Sequence, residues 1–77
     1  MNSRVRPVHR RQLGESIRRR RQNMSLSQES LAELVDCHRN YVGNVERGEQ
    51  NITLDMLVRF AKALKVRTAI LLSGLAD

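Results

Sequence analysis

"SQESLAELVDCHRNYVGNVERGEQN", residues 27–51, decides the fold. Ser27 is a good N-cap, since a serine oxygen can accept from the unpaired amides of a first turn. A helix follows over Gln28 to Val35, with Leu31, Leu34 and Val35 at helical spacing and so inward. Asp36 ends it, because aspartate tolerates the left-handed conformation that such turns need. A second helix starts near His38 and stops before Gly48, a natural C′ residue. Its inward positions are Val42 and Val45. Two short helices joined by a turn of about three residues make a helix-turn-helix.

The same stretch raises a chemical question. Asp36, Cys37 and His38 stand in a row, three residue types able to bind metal or perform nucleophilic chemistry. A zinc site normally takes four such ligands at suitable spacing. The chain holds one cysteine and two histidines, and His9 is distant in sequence. Adjacent residues on a helix diverge by about 100°, so Cys37 and His38 do not converge as a catalytic pair. Cys37 is expected to fill an apolar slot in the turn. No catalytic residue, metal or cofactor is expected, and the chain is not expected to be an enzyme.

The outward face of the second helix is more informative. Arg39, Asn40, Gly43, Asn44 and Arg47 fall on or near it, and no acid joins them. Arginine can bind guanine bidentately and asparagine can do the same for adenine. The face therefore suits reading base edges, where an ordinary solvated face would mix in Glu and Lys. Gly43 is costly in mid-helix, by about 1 kcal/mol against alanine. It either admits a close neighbour, the preceding helix over Gln28 to Val35 or DNA, or is simply tolerated. Glu46 lies near the inward side and is expected to pair with Arg21 of the first helix, because a buried unpaired guanidinium is very unfavourable.

Working outward, the apolar spacing stays helical almost throughout and no strand is convincing. A first helix spans about Val8 to Asn23, with Leu13, Ile17, Arg21 and Met24 on one face. Thr53 caps a fourth element carrying Leu54, Leu57, Val58, Ala61 and Leu64 inward. Thr68 to Leu72 makes a short fifth helix. The expected architecture is all-α, a compact bundle of about five helices. Pro7 closes a basic arm, residues 1–7, ahead of a domain over residues 8–77.

The 77 residues carry a net charge of +6, unevenly placed. Residues 1–25 hold eight arginines against one acid, a balance of +7, and residues 26–77 hold six basic against seven acidic residues, a balance of −1. Arginine's planar fork suits phosphate. This one-sided charge points to a polyanion. RNA is disfavoured, since stacking aromatics are limited to Tyr41 and Phe60. A single cysteine forbids an internal disulfide. No apolar run approaches the roughly 18–20 residues of a membrane span, and no apolar segment follows the basic N-terminus. The expected location is the cytoplasm. Near the C-terminus, "TAILLSGLA" is apolar nearly all round, and one small core cannot cover Ile70, Leu71, Leu72 and Leu75 together. These four are the expected homodimer interface.

Three motifs together carry a family resemblance. They are I-R-x-x-R at Ile17 to Arg21, L-S-Q-E-x-L-A at Leu26 to Ala32 and V-E-R-G at Val45 to Gly48, followed by Asn51 and a helix ending "AKAL". The chain resembles the lambda-repressor-like (Cro/C1-type, XRE) helix-turn-helix family over about residues 13–72. Its small size and "RNYVGNVERGEQNIT" further resemble restriction–modification controller proteins. The resemblance implies a phosphate contact at Gln28, base contacts at Arg39, Asn40 and Asn44 with His38 just before them, and Arg47 and Asn51 near the backbone. It also implies an internal Arg21–Glu46 pair, in agreement with the face argument. Tyr41, Arg4 and Arg6 are further candidate phosphate contacts. Asp36 and Ser25 stand where the family commonly has glycine, and Arg20 where leucine is frequent. The implied function is a transcriptional regulator, a homodimer on double-stranded DNA with a pseudo-palindromic operator. The competing reading is an antitoxin-type protein-interaction module that also binds DNA.

Overall fold

Helix α1 starts where proline ends the arm: the amides of Arg10 and Arg11 both donate to the Pro7 carbonyl, at 3.1 and 3.3 Å. The computed structural model describes residues 7–75. Arg4 and Arg6 lie outside the described residues, as do positions 1–3, 5, 76 and 77. The described chain is α1 (Val8–Asn23), α2 (Gln28–Val35), α3 (Arg39–Glu46), α4 (Leu54–Ala63) and α5 (Thr68–Leu72), with no strand among the described residues. None of these helices is long and apolar enough to cross a membrane.

The caps follow from the sequence. Ser27 Oγ accepts from the Ser30 amide at 3.0 Å and Thr53 Oγ1 from that of Met56 at 3.1 Å. Each turn between successive helices contains one left-handed residue: Ser25 (φ 58°), Asp36 (φ 62°), Gly48 (φ 75°) and Lys65 (φ 60°). Two of these, Ser25 and Asp36, are the positions where the family commonly carries glycine. Arg59 of α4 secures the Asp36 turn from outside, its Nη2 donating to the Asp36 carbonyl at 2.8 Å.

The core is assembled from all five helices. Leu13 and Ile17 meet Leu31, Ala32 and Val35 of α2 and Val42 and Val45 of α3; Leu57, Phe60 and Ala61 of α4, its C-cap Leu64 and Leu71 of α5 complete it. Phe60 is fully buried and is its largest member. Two expectations fail here. Leu34 is 59% exposed and Leu54 is 70% exposed. Leu34 sits at the edge of the α2 stripe, beside the buried Leu31 and Val35 but turned to the surface. On α4 the inclusion of Phe60 rotates the inward face, at about 100° per residue, away from Leu54. Val58 and Met24 are half-buried.

Gly14 determines how α1 meets α3. A Cβ there would stand 2.5 Å from the Glu46 carbonyl oxygen and closer still to that of Val45. The two backbones touch directly, so only glycine fits.

Candidate nucleic-acid interface

Beneath the outward face of α3 lies a buried ionic network. Arg21 comes from α1 and Glu46 from the end of α3, and their side chains are only 11% and 3% exposed. Arg21 Nε donates to Glu46 Oε2 at 2.6 Å and Nη2 to Oε1 at 3.0 Å. Arg21 Nη1 also donates to the Leu26 carbonyl at 2.8 Å, at the entry to α2. The same Glu46 Oε1 accepts from Gln28 Nε2 at 3.0 Å. One carboxylate thus ties α1, the first residue of α2 and the last turn of α3. The hydrogen bond to Glu46 pushes the Arg21 pKa up, against the opposing effect of burial. The expected Arg21–Glu46 pair is present, and Gln28 joins it.

Above this network the structure gathers the expected contact residues. Gln28, Arg39, Asn40, Gly43, Asn44 and Arg47 line one open cleft of about 400 Å³ between the start of α2 and the outer face of α3. Every lining residue was singled out in the sequence, and none is acidic. A concave surface with two guanidinium groups, three amides and the N-terminus of α2 suits a phosphate backbone and the base edges beside it.

Other candidates are placed differently. His38 is the N-cap of α3, and its Nδ1 accepts from the Asn40 amide at 3.0 Å. That ring nitrogen organises the helix start and is not free for a base. Tyr41 lies away from the cleft, half-buried, with its ring 6.3 Å from that of Phe60. Asn51 is exposed in the loop before α4. Gly43 is covered, but not by the α2 backbone: an added Cβ would meet Arg47 Nη1 at 3.0 Å and Gln28 Oε1 at 3.7 Å. Arg47 itself is folded along α3, a feature no sequence signal announced. Its Nη2 donates to Asn44 Oδ1 at 2.6 Å and its Nε to Glu49 Oε1 at 2.8 Å.

Cys37 is half-buried against the core. Burial pushes its thiol pKa up, Arg59 opposes this, and Asp36 adds a smaller upward push. A nucleophilic cysteine needs the opposite shift. No group of three or more His, Cys, Asp or Glu side chains able to hold a metal occurs among the described residues.

At the other end of the molecule, α5 corrects one expectation. Leu71 is 1% exposed and belongs to the chain's own core, so it is not available to a partner. Ile70 and Leu72 are 42% and 39% exposed, and Leu75 is half-buried.

The Helix-turn-helix (HTH_3) family model matches residues 17–71. The chain belongs to this helix-turn-helix family. It is 48% identical over 61 residues to the control protein C.SmaI of Serratia marcescens, covering 79% of this chain and 73% of that one. Among solved structures it is similar to the restriction-modification controller protein C.AhdI of Aeromonas hydrophila, at 39% identity and a TM-score of 0.78, covering 79% of this chain and 92% of that one. It is also similar to the P22 c2 repressor solved in complex with a synthetic operator, at 31% identity and a TM-score of 0.76, covering 80% and 94%. Membership accounts for the agreement between the sequence motifs and the five-helix arrangement.

Proposed function

We propose that the chain is a sequence-specific DNA-binding transcriptional regulator of the restriction–modification controller kind, acting as a homodimer. The observation that carries this reading is the acid-free cleft lined by Gln28, Arg39, Asn40, Gly43, Asn44 and Arg47. With α3 in the major groove, Arg39, Asn40 and Asn44 face base edges, and the N-terminus of α2 at Gln28 meets a phosphate through its backbone amides, the Gln28 side chain being held by Glu46. Phosphate contacts set affinity and register, while the base contacts set sequence. Asn51 and Tyr41, outside the cleft, are further candidate backbone contacts, and Arg4 and Arg6, outside the described residues, are candidates by charge alone.

The exposed Ile70 and Leu72, with Leu75 beside them, supply the apolar surface for a two-fold partner. Such a dimer would hold two α3 helices about 34 Å apart, matching half-sites one DNA turn apart. The similarity to controller proteins and to an operator-binding repressor supports the same reading.

Selection of binding sites from random duplex DNA tests it. The expected product is a pair of symmetric half-sites. Arg39→Ala or Asn44→Ala should then cost about 1–3 kcal/mol on the selected site and little on random sequence. Equal losses on both kinds of DNA would remove the base-reading role. Ile70→Glu should shift the sedimentation coefficient to that of a monomer.

A further inference from the structure

Gly43, Asn44, Arg47 and Glu49 form a constellation that a simple phosphate contact at Arg47 does not account for. An arginine kept for a phosphate would be expected to extend away from the protein. Here the guanidinium lies back over α3, with Nη2 on Asn44 Oδ1 at 2.6 Å and Nε on Glu49 Oε1 at 2.8 Å. Its Nη1 occupies the space that any side chain at position 43 would need. Glycine in mid-helix is unfavourable by about 1 kcal/mol against alanine, and here it leaves a floor for the guanidinium.

We propose that Arg47 is a positioning residue for base reading, holding the Asn44 amide so that Asn44 meets DNA as a hydrogen-bond donor. The inference rests on the reading of α3 as the base-contacting helix. A guanidinium has donors only, so the amide atom facing Arg47 is the oxygen. The NH2 group is the other branch of the planar amide and is left for the cleft. In the major groove, guanine offers the acceptors N7 and O6, thymine offers O4, and adenine offers N7 beside its N6 donor; cytosine offers only a donor. Adenine's two-point contact with asparagine also needs the amide oxygen to turn to N6, and in this chain one of that oxygen's two lone pairs takes a charged donor that holds the amide where it lies. Asn44 therefore favours guanine or thymine, over cytosine for want of an acceptor, and over adenine because its NH2 group can use N7 but leaves the adjacent N6 donor facing an oxygen held by Arg47. The Arg47 and Glu49 side chains are 55% and 33% exposed, so their pairing contributes little to folding. Its consequence is the direction in which Asn44 points.

Site selection from random duplex DNA is run on the wild type, Asn44→Ala, Arg47→Ala and Arg47→Lys, with thermal melts to show that each is folded. Asn44→Ala identifies the Asn44 position as the one whose preference it flattens. The wild type is expected to prefer guanine or thymine there. Arg47→Ala is expected to raise adenine at that position about tenfold, the size of a single two-point contact, with no change in the salt dependence of binding. Arg47→Lys keeps the charge but not the two-point hold, so it should relax the same position. The proposal is overturned if adenine is the wild-type preference there, or if Asn44→Ala flattens no position. It is equally overturned if Arg47→Ala keeps every base preference; a uniform loss on all sequences with a salt slope lower by about 0.9 then identifies Arg47 as a phosphate contact. A wild type that selects no sequence defeats the base-reading helix itself, a result distinct from these.

Discussion

Replacing Arg21 by methionine removes three donated hydrogen bonds at once, two to Glu46 and one to the Leu26 carbonyl. It leaves the Glu46 side chain, 3% exposed, with Gln28 as its remaining partner in the network. Breaking a buried pair in this way costs about 3–5 kcal/mol, mainly through the charge left behind. Natural domains are stable by about 5–15 kcal/mol, and a 77-residue chain belongs near the bottom of that range. Arg21→Met should therefore remove most of the stability. At about 4–8 °C per kcal/mol, the lower bound alone lowers Tm by about 12–24 °C. Glu46→Leu should be comparably damaging, since it strands the guanidinium. The double variant Arg21→Met/Glu46→Leu leaves no buried charge and should recover most of the loss, because apolar replacement of a whole buried pair is often neutral. Urea unfolding followed by circular dichroism gives all three values and their interaction energy. An Arg21→Met loss below about 0.5 kcal/mol, or a double variant equal to the sum of the singles, would refute the buried-pair reasoning.

Two glycines should answer oppositely to the same methyl group. Gly14→Ala forces backbone apart and should lower stability by about 3 kcal/mol, whereas Gly43→Ala displaces only the end of Arg47 and should stay within about 1 kcal/mol of wild type in urea unfolding. Burial raises the pKa of both Cys37 and Tyr41, so their neutral forms belong to the folded state. Stability should then be level below the ordinary thiol value of 9.0 and fall as pH rises through the two folded-state values; urea midpoints from pH 7 to 11 show this, and Cys37→Ala should delay the onset. Lys65 is left-handed at φ 60°, so Lys65→Gly should raise the urea midpoint. Relief of about 1–2 kcal/mol exceeds the roughly 0.5–1 kcal/mol that glycine adds to unfolded-chain freedom.

Most of the fold was legible because its signals are local. Ser27, Thr53 and Gly48 mark helix ends by their own chemistry, and α1, α2 and α5 have the expected boundaries. The Arg21–Glu46 pair was legible because a cation on an apolar face demands a partner. What could not be read depends on which elements meet. Leu34 and Leu54 satisfy helical spacing but turn to the surface. Gly14 looks like any exposed helix glycine until the α3 backbone is placed against it. In the cleft, residue types identified the face, but side-chain conformation was out of reach. His38 could as well contact a base as cap a helix, and Arg47 could as well extend as fold back on Asn44. Leu71 shows the same limit in α5, where an all-apolar segment does not say which residue its own core takes.

The bare contact between α1 and α3 at Gly14 bears on how such a regulator can change its target. With no side chain between the two backbones, their spacing has no adjustable part, and nearly every substitution at position 14 is forbidden. Arg39 and Asn40 stand outside that contact and fully at the surface. Mutational drift is thus barred from the mount and open at the tip. On the proposed reading of α3, new operator preferences would evolve by exchanging a few surface residues, while the helix that carries them stays where it is.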